Sequence, residues 1–346
     1  MQSFWRYFSN SIWATLLGLS LGAWAGYLFS GTWHGAAEGF FLTAVLAVLE
    51  VSLSFDNAIV NASVLRQMSP QWRHRFITWG MLIAVFGMRI LFPLVIVSVA
   101  AKISPWAAAD LATRNPQEYS RLMHSAHIGL AGFGGSFLMM VALRFFINEH
   151  KTEHWLSSVE KILSRLGKVE AVEVALCLGL LFVLTRFLPE PEAQMSLLGS
   201  GVLGLVTYVL VDGISSYLKL PEDGQQAIEK ASAALFVYLE LVDASFSFDG
   251  VIGAFALTNN LIILAAGLGI GAMFVRSLTI FLVEKQTLEA FRYLEHGAFY
   301  AIGVLAVMMM VDVFIALPEW VIGLAGGSII LTALWASKPF NPPQER

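Results

Sequence analysis

The sequence predicts an all-α polytopic membrane protein with about ten transmembrane helices, arranged as two inverted five-helix repeats. Three observations carry that expectation. The 346 residues are 57% apolar and only 13% charged, with a mean hydropathy of +0.69, which is not a soluble globular composition. Apolar blocks of roughly 20 residues, the length needed to cross the hydrocarbon core, recur along the chain. An acidic motif inside one such block is echoed inside a later one.

The blocks fall at about 11–30, 36–65, 77–100, 124–147, 171–188, 196–218, 231–257, 261–283, 297–317 and 319–337. Arg6 ahead of the first block and Ala23-Trp24-Ala25 near its end also fit a signal-peptide pattern. Threading the blocks back and forth puts Arg6, Arg66, Arg73, Arg75, Lys151, Lys161, Arg165, Lys168, Lys219, Lys230, Lys285, Arg292, Lys338 and Arg346 on one side. The other side holds only Lys102, Arg114 and Arg121. By the positive-inside rule the crowded side is cytoplasmic, and both termini are expected there.

The organisation follows from the same blocks. Residues 1–150 form the first repeat, with its motif helix at 36–65. Residues 151–170 form a cytoplasmic connector, where the spacing of Val159, Ile162, Leu163 and Leu166 predicts a short amphipathic helix at the membrane surface. Residues 171–337 form the second repeat, with its motif helix at 231–257, and 338–346 is a tail. Residues 101–123 are expected as an outer loop. Five spans per half is an odd number, so the second half is inverted, an arrangement typical of transporters with a site at the repeat interface.

The first motif runs from Glu50 through Ser52 and Ser54 to Asp56, Asn57 and Asn61; the second carries Glu240, Asp243, Ser245, Asp249 and Gly250. Aligned on Ser-Phe-Asp, Asp56 meets Asp249 and Glu50 meets Asp243. The match extends to the next block, where Gly80 precedes Arg89 by the same interval as Gly267 precedes Arg276. Acids inside a membrane are costly and mark functional sites by default. Glu50, Asp56, Asn57, Asn61, Glu240, Asp243 and Asp249 offer only oxygen donors, which suit Mn²⁺, Mg²⁺ or Ca²⁺. Protons could neutralise the same groups, so exchange of metal against protons is also open.

Helix geometry limits how these donors converge. At ~100° per residue, Glu50, Asn57 and Asn61 share one face of a helix, while Asp56 points ~120° away from Glu50. Local unwinding near Ser54–Asn57 and Ser247–Gly250 would bring all the acids to one cavity; without it they form two sites along a path. Arg89 and Arg276 are the candidate charge partners of the acids: Arg89 is expected as an intramembrane partner or a structural ion pair, and Arg276, nearer a helix end, more as a residue that snorkels to the interface.

Other features read more plainly. Asp212, Asp312, His124, His127 and His296 are expected to be structural or interfacial, and the scattered histidines show no ligand spacing. The single Cys177 excludes a disulfide framework. A net charge of −4 without a dense basic run excludes a nucleic-acid partner, and no prosthetic group is expected. The expected partners are a metal ion and the lipid bilayer, and the sequence names no protein partner.

The combination Glu50-x5-Asp56-Asn57 with Glu240-x2-Asp243-x5-Asp249 resembles the TerC family of integral membrane proteins, named for tellurite resistance. The resemblance covers roughly 45–100 and 235–283, with Gly250 standing where a serine is usual. It implies a bacterial-type inner-membrane protein, not an enzyme, that exports a divalent cation, chiefly Mn²⁺. Two other classes are weighed beside it. One is a membrane-protein assembly factor or structural subunit without transport. The other is an intramembrane aspartic protease built on Asp56 and Asp249, for which the chain carries one acidic pair too many and no Gly-x-Gly-Asp signature.

Overall fold

Helices that are apolar all round belong in a core or in lipid, and this chain is made largely of them. The computed structural model describes residues 2–80, 82–148, 151, 153–218, 225–258, 260–285 and 287–337. The tail 338–346 and the side chains of Arg89 and Asp249 lie outside the described residues. Helix α1 spans Gln2–Ser30, α2 Trp33–Leu53, α3 Phe55–Leu65 and α4 Pro70–Arg75. Two π-helical stretches, Phe76–Gly80 and Ile83–Leu91, lead into α5 (Phe92–Ala101), α6 (Pro105–Arg114), α7 (Pro116–Ser125) and α8 (His127–Phe146). Then come α9 (Ser157–Leu166), α10 (Val172–Thr185), α11 (Pro191–Leu218) and α12 (Gln225–Leu257). The chain closes with α13 (Leu261–Glu284), α14 (Thr287–Ala290), α15 (Leu294–Asp312) and α16 (Glu319–Ser337). No strand occurs among the described residues.

Among the described residues, six helices are long and apolar enough to cross a bilayer: Trp5–Ser30, Trp33–Leu53, His127–Phe146, Pro191–Ile214, Leu261–Glu284 and Leu294–Asp312. The longest helix, α12, carries Glu229, Lys230, Glu240, Asp243 and Asp249 along an otherwise apolar run. At the centre, α13 packs against α1, α2, α3 and the second π-helical stretch, while α8 packs against α11, α12 and α15. The first apolar block is an integral layer of this packing. Ser11 Oγ donates to Met273 O at 2.8 Å, and a Cβ on Gly26 would stand 2.0 Å from Gly35 O, so only glycine lets α1 approach α2 this closely.

The outer loop expected at 101–123 contains α6 and α7, each begun by a capping side chain (Ser104, Asn115) and a proline in its first turn. The expected amphipathic helix is present as α9, with Val159 and Ile162 exposed. Its anchor is not apolar. Glu160 is 0% exposed; its Oε1 accepts from Trp155 N (3.2 Å), Leu156 N (3.1 Å) and Tyr300 OH (3.1 Å), and Lys151 Nζ lies 2.9 Å from Oε2. The ion pair is internal to the connector, and the Tyr300 hydroxyl, donating to the same carboxylate, ties the connector to α15.

Burial would push the Glu160 carboxyl up, but Lys151, the Leu156 N–H and His296 outweigh it and hold the group below the ordinary carboxylate range. A depressed carboxylate contributes stability that is present above its unfolded pKa and lost as pH falls through the folded value. Glu160→Ala leaves the Lys151 ammonium without its counter-charge and is expected to cost about 3–5 kcal/mol. Thermal unfolding of the purified protein at neutral pH measures that loss, and native and variant melts should converge as the pH is lowered below the carboxylate range.

Candidate functional site: an oxygen-lined cavity between α3, α12 and α13

The site begins with a single broken residue. Helix α2 stops at Leu53, Ser54 takes φ −101° and ψ 14°, and α3 starts at Phe55. The hydrogen-bond ladder is barely disturbed, since Ser54 N still donates to Glu50 O (3.0 Å) and Ala58 N to Ser54 O (3.2 Å). The unwinding expected at Ser54–Asn57 is thus confined to Ser54. The second expected break, at Ser247–Gly250, is absent: α12 runs unbroken from Gln225 to Leu257. One kink on one side suffices because α12 presents Glu240 and Asp243 from a single face.

Asn57 and Asn61 of α3, and Glu240 and Asp243 of α12, line one internal cavity of about 40 Å³. Phe76, Ile77 and Gly80 form its π-helical wall, and Ala272, Val275, Arg276 and Thr279 of α13 form another. Asn57, Asn61 and Asp243 are all under one-tenth exposed. Asn57 Nδ2 donates to Asp243 Oδ1, joining the two motif helices directly. Asn57 Oδ1, Asn61 Oδ1 and both carboxyl oxygens of Glu240 are buried and receive no donor among the described residues. Ionised carboxylates and amide oxygens are acceptors only, so the wall is a set of lone pairs facing an enclosed space. Glycine at position 80 makes room for it, because a Cβ there would stand 2.6 Å from Glu240 Oε1.

The remaining predicted residues fall elsewhere. Asp56 is turned away, as the ~120° offset requires, and lines a separate cavity of about 10 Å³ between α3, α15 and α16. Its Oδ1 accepts from Asn57 N at 2.9 Å. Glu50 is 4% exposed and accepts from Ser54 Oγ at 3.0 Å; it sits against Gly271 of α13 and Gly250 of α12, one hydrogen bond removed from the cavity wall that Ser54 lines. Arg276 does not snorkel. Its side chain lines the cavity, and its Nε donates to Ile77 O at 2.8 Å, a carbonyl of the π-helical wall. Asp249 and Arg89 keep their positions in the helices, but their side chains lie outside the described residues.

Among the described residues no three His, Cys, Asp or Glu side chains converge as a metal-binding group. The donor set is instead two carboxylates with two amide oxygens. Asp312 and His127 prove to be partners, with Nε2 2.8 Å from Oδ2, and Asp212 lies 3.7 Å from Arg144. Sequence reasoning missed Thr279 and the aromatic wall residue Phe76; neither belongs to the repeated motif, and only the packing of α13 and the π-helical stretch brings them in. Gly80 was visible only as half of a matched Gly–Arg spacing.

Residues 55–342 match the family described as "Protein of unknown function (DUF475)". No curated protein and no solved structure matches the chain.

Glu50 fits only because position 271 has no side chain: a Cβ there would stand 2.2 Å from Glu50 Cγ and 2.5 Å from Glu50 Cβ. Those atoms lie close to the backbone, so α2 and α13 must move apart. Gly271→Ala is expected to destabilise by about 1–3 kcal/mol, whereas Gly179→Ala, with nothing within 4 Å, should be neutral or stabilising. Thermal unfolding of both variants side by side checks this, and equal behaviour would count against the packing account.

Proposed function

The chain belongs to the DUF475 family, and we propose that it is a secondary transporter of a divalent cation, carried through the cavity between α3, α12 and α13. One observation carries this reading: Asn57 Oδ1, Asn61 Oδ1 and both Glu240 oxygens are buried without donors beside Asp243. An unsatisfied buried acceptor costs about 1–3 kcal/mol, and more for a charged group. One cation satisfies all four at once. Glu240 and Asp243 supply anionic oxygens, and neutral amide oxygens complete an all-oxygen shell of the kind Mn²⁺, Mg²⁺ and Ca²⁺ take. A cavity of about 40 Å³ has room for such an ion with part of its water shell. Mn²⁺ and the outward direction follow the resemblance of the motifs to the TerC family.

We read the architecture as ten spans in two inverted repeats, with both termini cytoplasmic in a bacterial-type inner membrane. Reciprocal packing supports the repeat. Helix α3 lies against α13 and α15, while α12 lies against the second π-helical stretch and α8; α1 packs on α2 as α11 packs on α12. The contacts between acids are reciprocal too. Asp243 meets Asn57, the residue after Asp56, and Glu50 Oε2 lies 3.2 Å from where a Cβ on Gly250, the residue after Asp249, would stand. Such an interface is where transporters of inverted-repeat design hold their ions.

Binding of Mn²⁺ to the purified protein, followed by calorimetry, tests the site. Glu240→Gln and Asp243→Asn should each weaken binding at least about tenfold, roughly 1.4 kcal/mol. Asp56→Asn, altering a different cavity, should stay within about twofold of native, under 0.5 kcal/mol. Cellular manganese under Mn²⁺ load should fall when the native chain is expressed and not when Glu240→Gln replaces it. Native binding too weak to measure for any divalent cation would remove the proposal.

A further inference from the structure

Next to the cavity lies an apolar plug, built by three elements just beyond their cavity-lining residues. On α3 the turn after Asn61 brings Val64 and Leu65, with Met68 past the helix end; Leu65 is 1% exposed and Met68 3%. On α12 the turn before Glu240 brings Leu239, Phe236 and Leu235. From α4, Trp72 packs against the same cluster, and Phe76 belongs both to it and to the cavity wall. Phe236 is the hub of the aromatic part. Its ring lies 5.6 Å from Trp72 and 6.0 Å, edge-on, from Phe76.

Beyond the plug the surroundings turn polar again. Ser69 N donates to Ser232 Oγ at 2.9 Å, and Ser69 Oγ to Glu229 Oε1 at 3.1 Å. Along α12 the order is therefore Glu229 and Ser232, then Leu235, Phe236 and Leu239, then Glu240 and Asp243. A polar layer, an apolar layer and the acidic cavity follow one another on a helix with no break. An ion cannot cross such an apolar layer without a large desolvation penalty, so the layer must open for passage.

We propose that Phe236, packed on Trp72 and Phe76, is the gate between the cavity and the Glu229 side of the membrane. Its moving part is the α4–Phe76 segment and not α12, because α12 is continuous, whereas π-helical turns are rare and favour functional sites. Arg276 ties this segment to α13 through Ile77 O, next to Phe76. The identity of what passes rests on the cation reading above; the gate itself rests on the packing.

Thiol accessibility separates the two. Ala272 lines the cavity and supplies no proposed ligand, so Ala272→Cys, with the buried native thiol removed as Cys177→Ser, reports access to it. Methanethiosulfonate-ethylammonium is applied to membrane vesicles of each orientation. Phe236→Ala is expected to speed modification at least about tenfold from the Glu229 side alone, because the apolar barrier is what excludes the charged reagent. Phe236→Leu should stay near the parent rate. Trp72→Ala, on a different element, should reproduce the one-sided rise and keeps the test decisive should Phe236→Ala fail to fold. An unchanged rate, or an equal rise from both sides, overturns the gate. Mn²⁺ protection of the same cysteine reads the cation proposal separately: a one-sided rise without protection leaves the gate standing and removes the cation.

Discussion

A carboxylate held inside a membrane protein needs a counter-charge, a set of donors or a proton, and the rest of this structure is arranged around that requirement. The chain meets it in two opposite ways. Glu160, in the connector, is given Lys151, two backbone N–H groups and the Tyr300 hydroxyl, and the result is an anchor. Glu240, in a motif helix, has no hydrogen-bond donor among the described residues, although it is flanked by Asn57, Asn61 and Asp243. Fold stability alone would have favoured apolar residues at those positions. Lone pairs left without donors are a cost to the fold.

Backbone details make that arrangement possible. The break at Ser54 is one residue long, enough to re-aim α3 while keeping its hydrogen bonds. Positions 80, 250 and 271 carry no side chain where Glu240 and Glu50 approach neighbouring helices. These absences of Cβ set how near the acids come to the opposite backbone. The π-helical wall adds a carbonyl, Ile77 O, that Arg276 satisfies. A guanidinium expected at the membrane surface is thereby held beside the acidic cavity, where its charge is felt more strongly than it would be in water.

Much of the site is legible because oxygen-bearing side chains inside apolar blocks stand out. Asn57, Asn61, Glu240 and Asp243 share one cavity, and of these only Asp243 has an acidic counterpart, Glu50, in the repeat. Asp56 was chosen with them and lies in another, as its angle on the helix had warned. The second predicted break failed for a simple reason: Glu240 and Asp243 already share a face, so α12 has no need to unwind. For Arg276 the snorkelling expectation differs from the structure because distance from a helix end says nothing about which neighbour the side chain faces; it lines the cavity with the acids. Glu160 carried no signal at all, since a glutamate in a polar connector reads as solvated until its helix is docked.

The sequence by itself determined that the chain belongs in a membrane, that its helices carry acids at matched positions, and that those acids are oxygen donors only. Composition and residue spacing suffice for this, because hydrophobic length and side-chain chemistry are local properties. Only the tertiary structure decided which donors meet, which glycines admit them, where the Phe236 aromatic cluster packs, and that Asp56 stands apart. Those outcomes depend on the rotation of each helix about its own axis against its neighbours, and that rotation is set by the packing of all of them together.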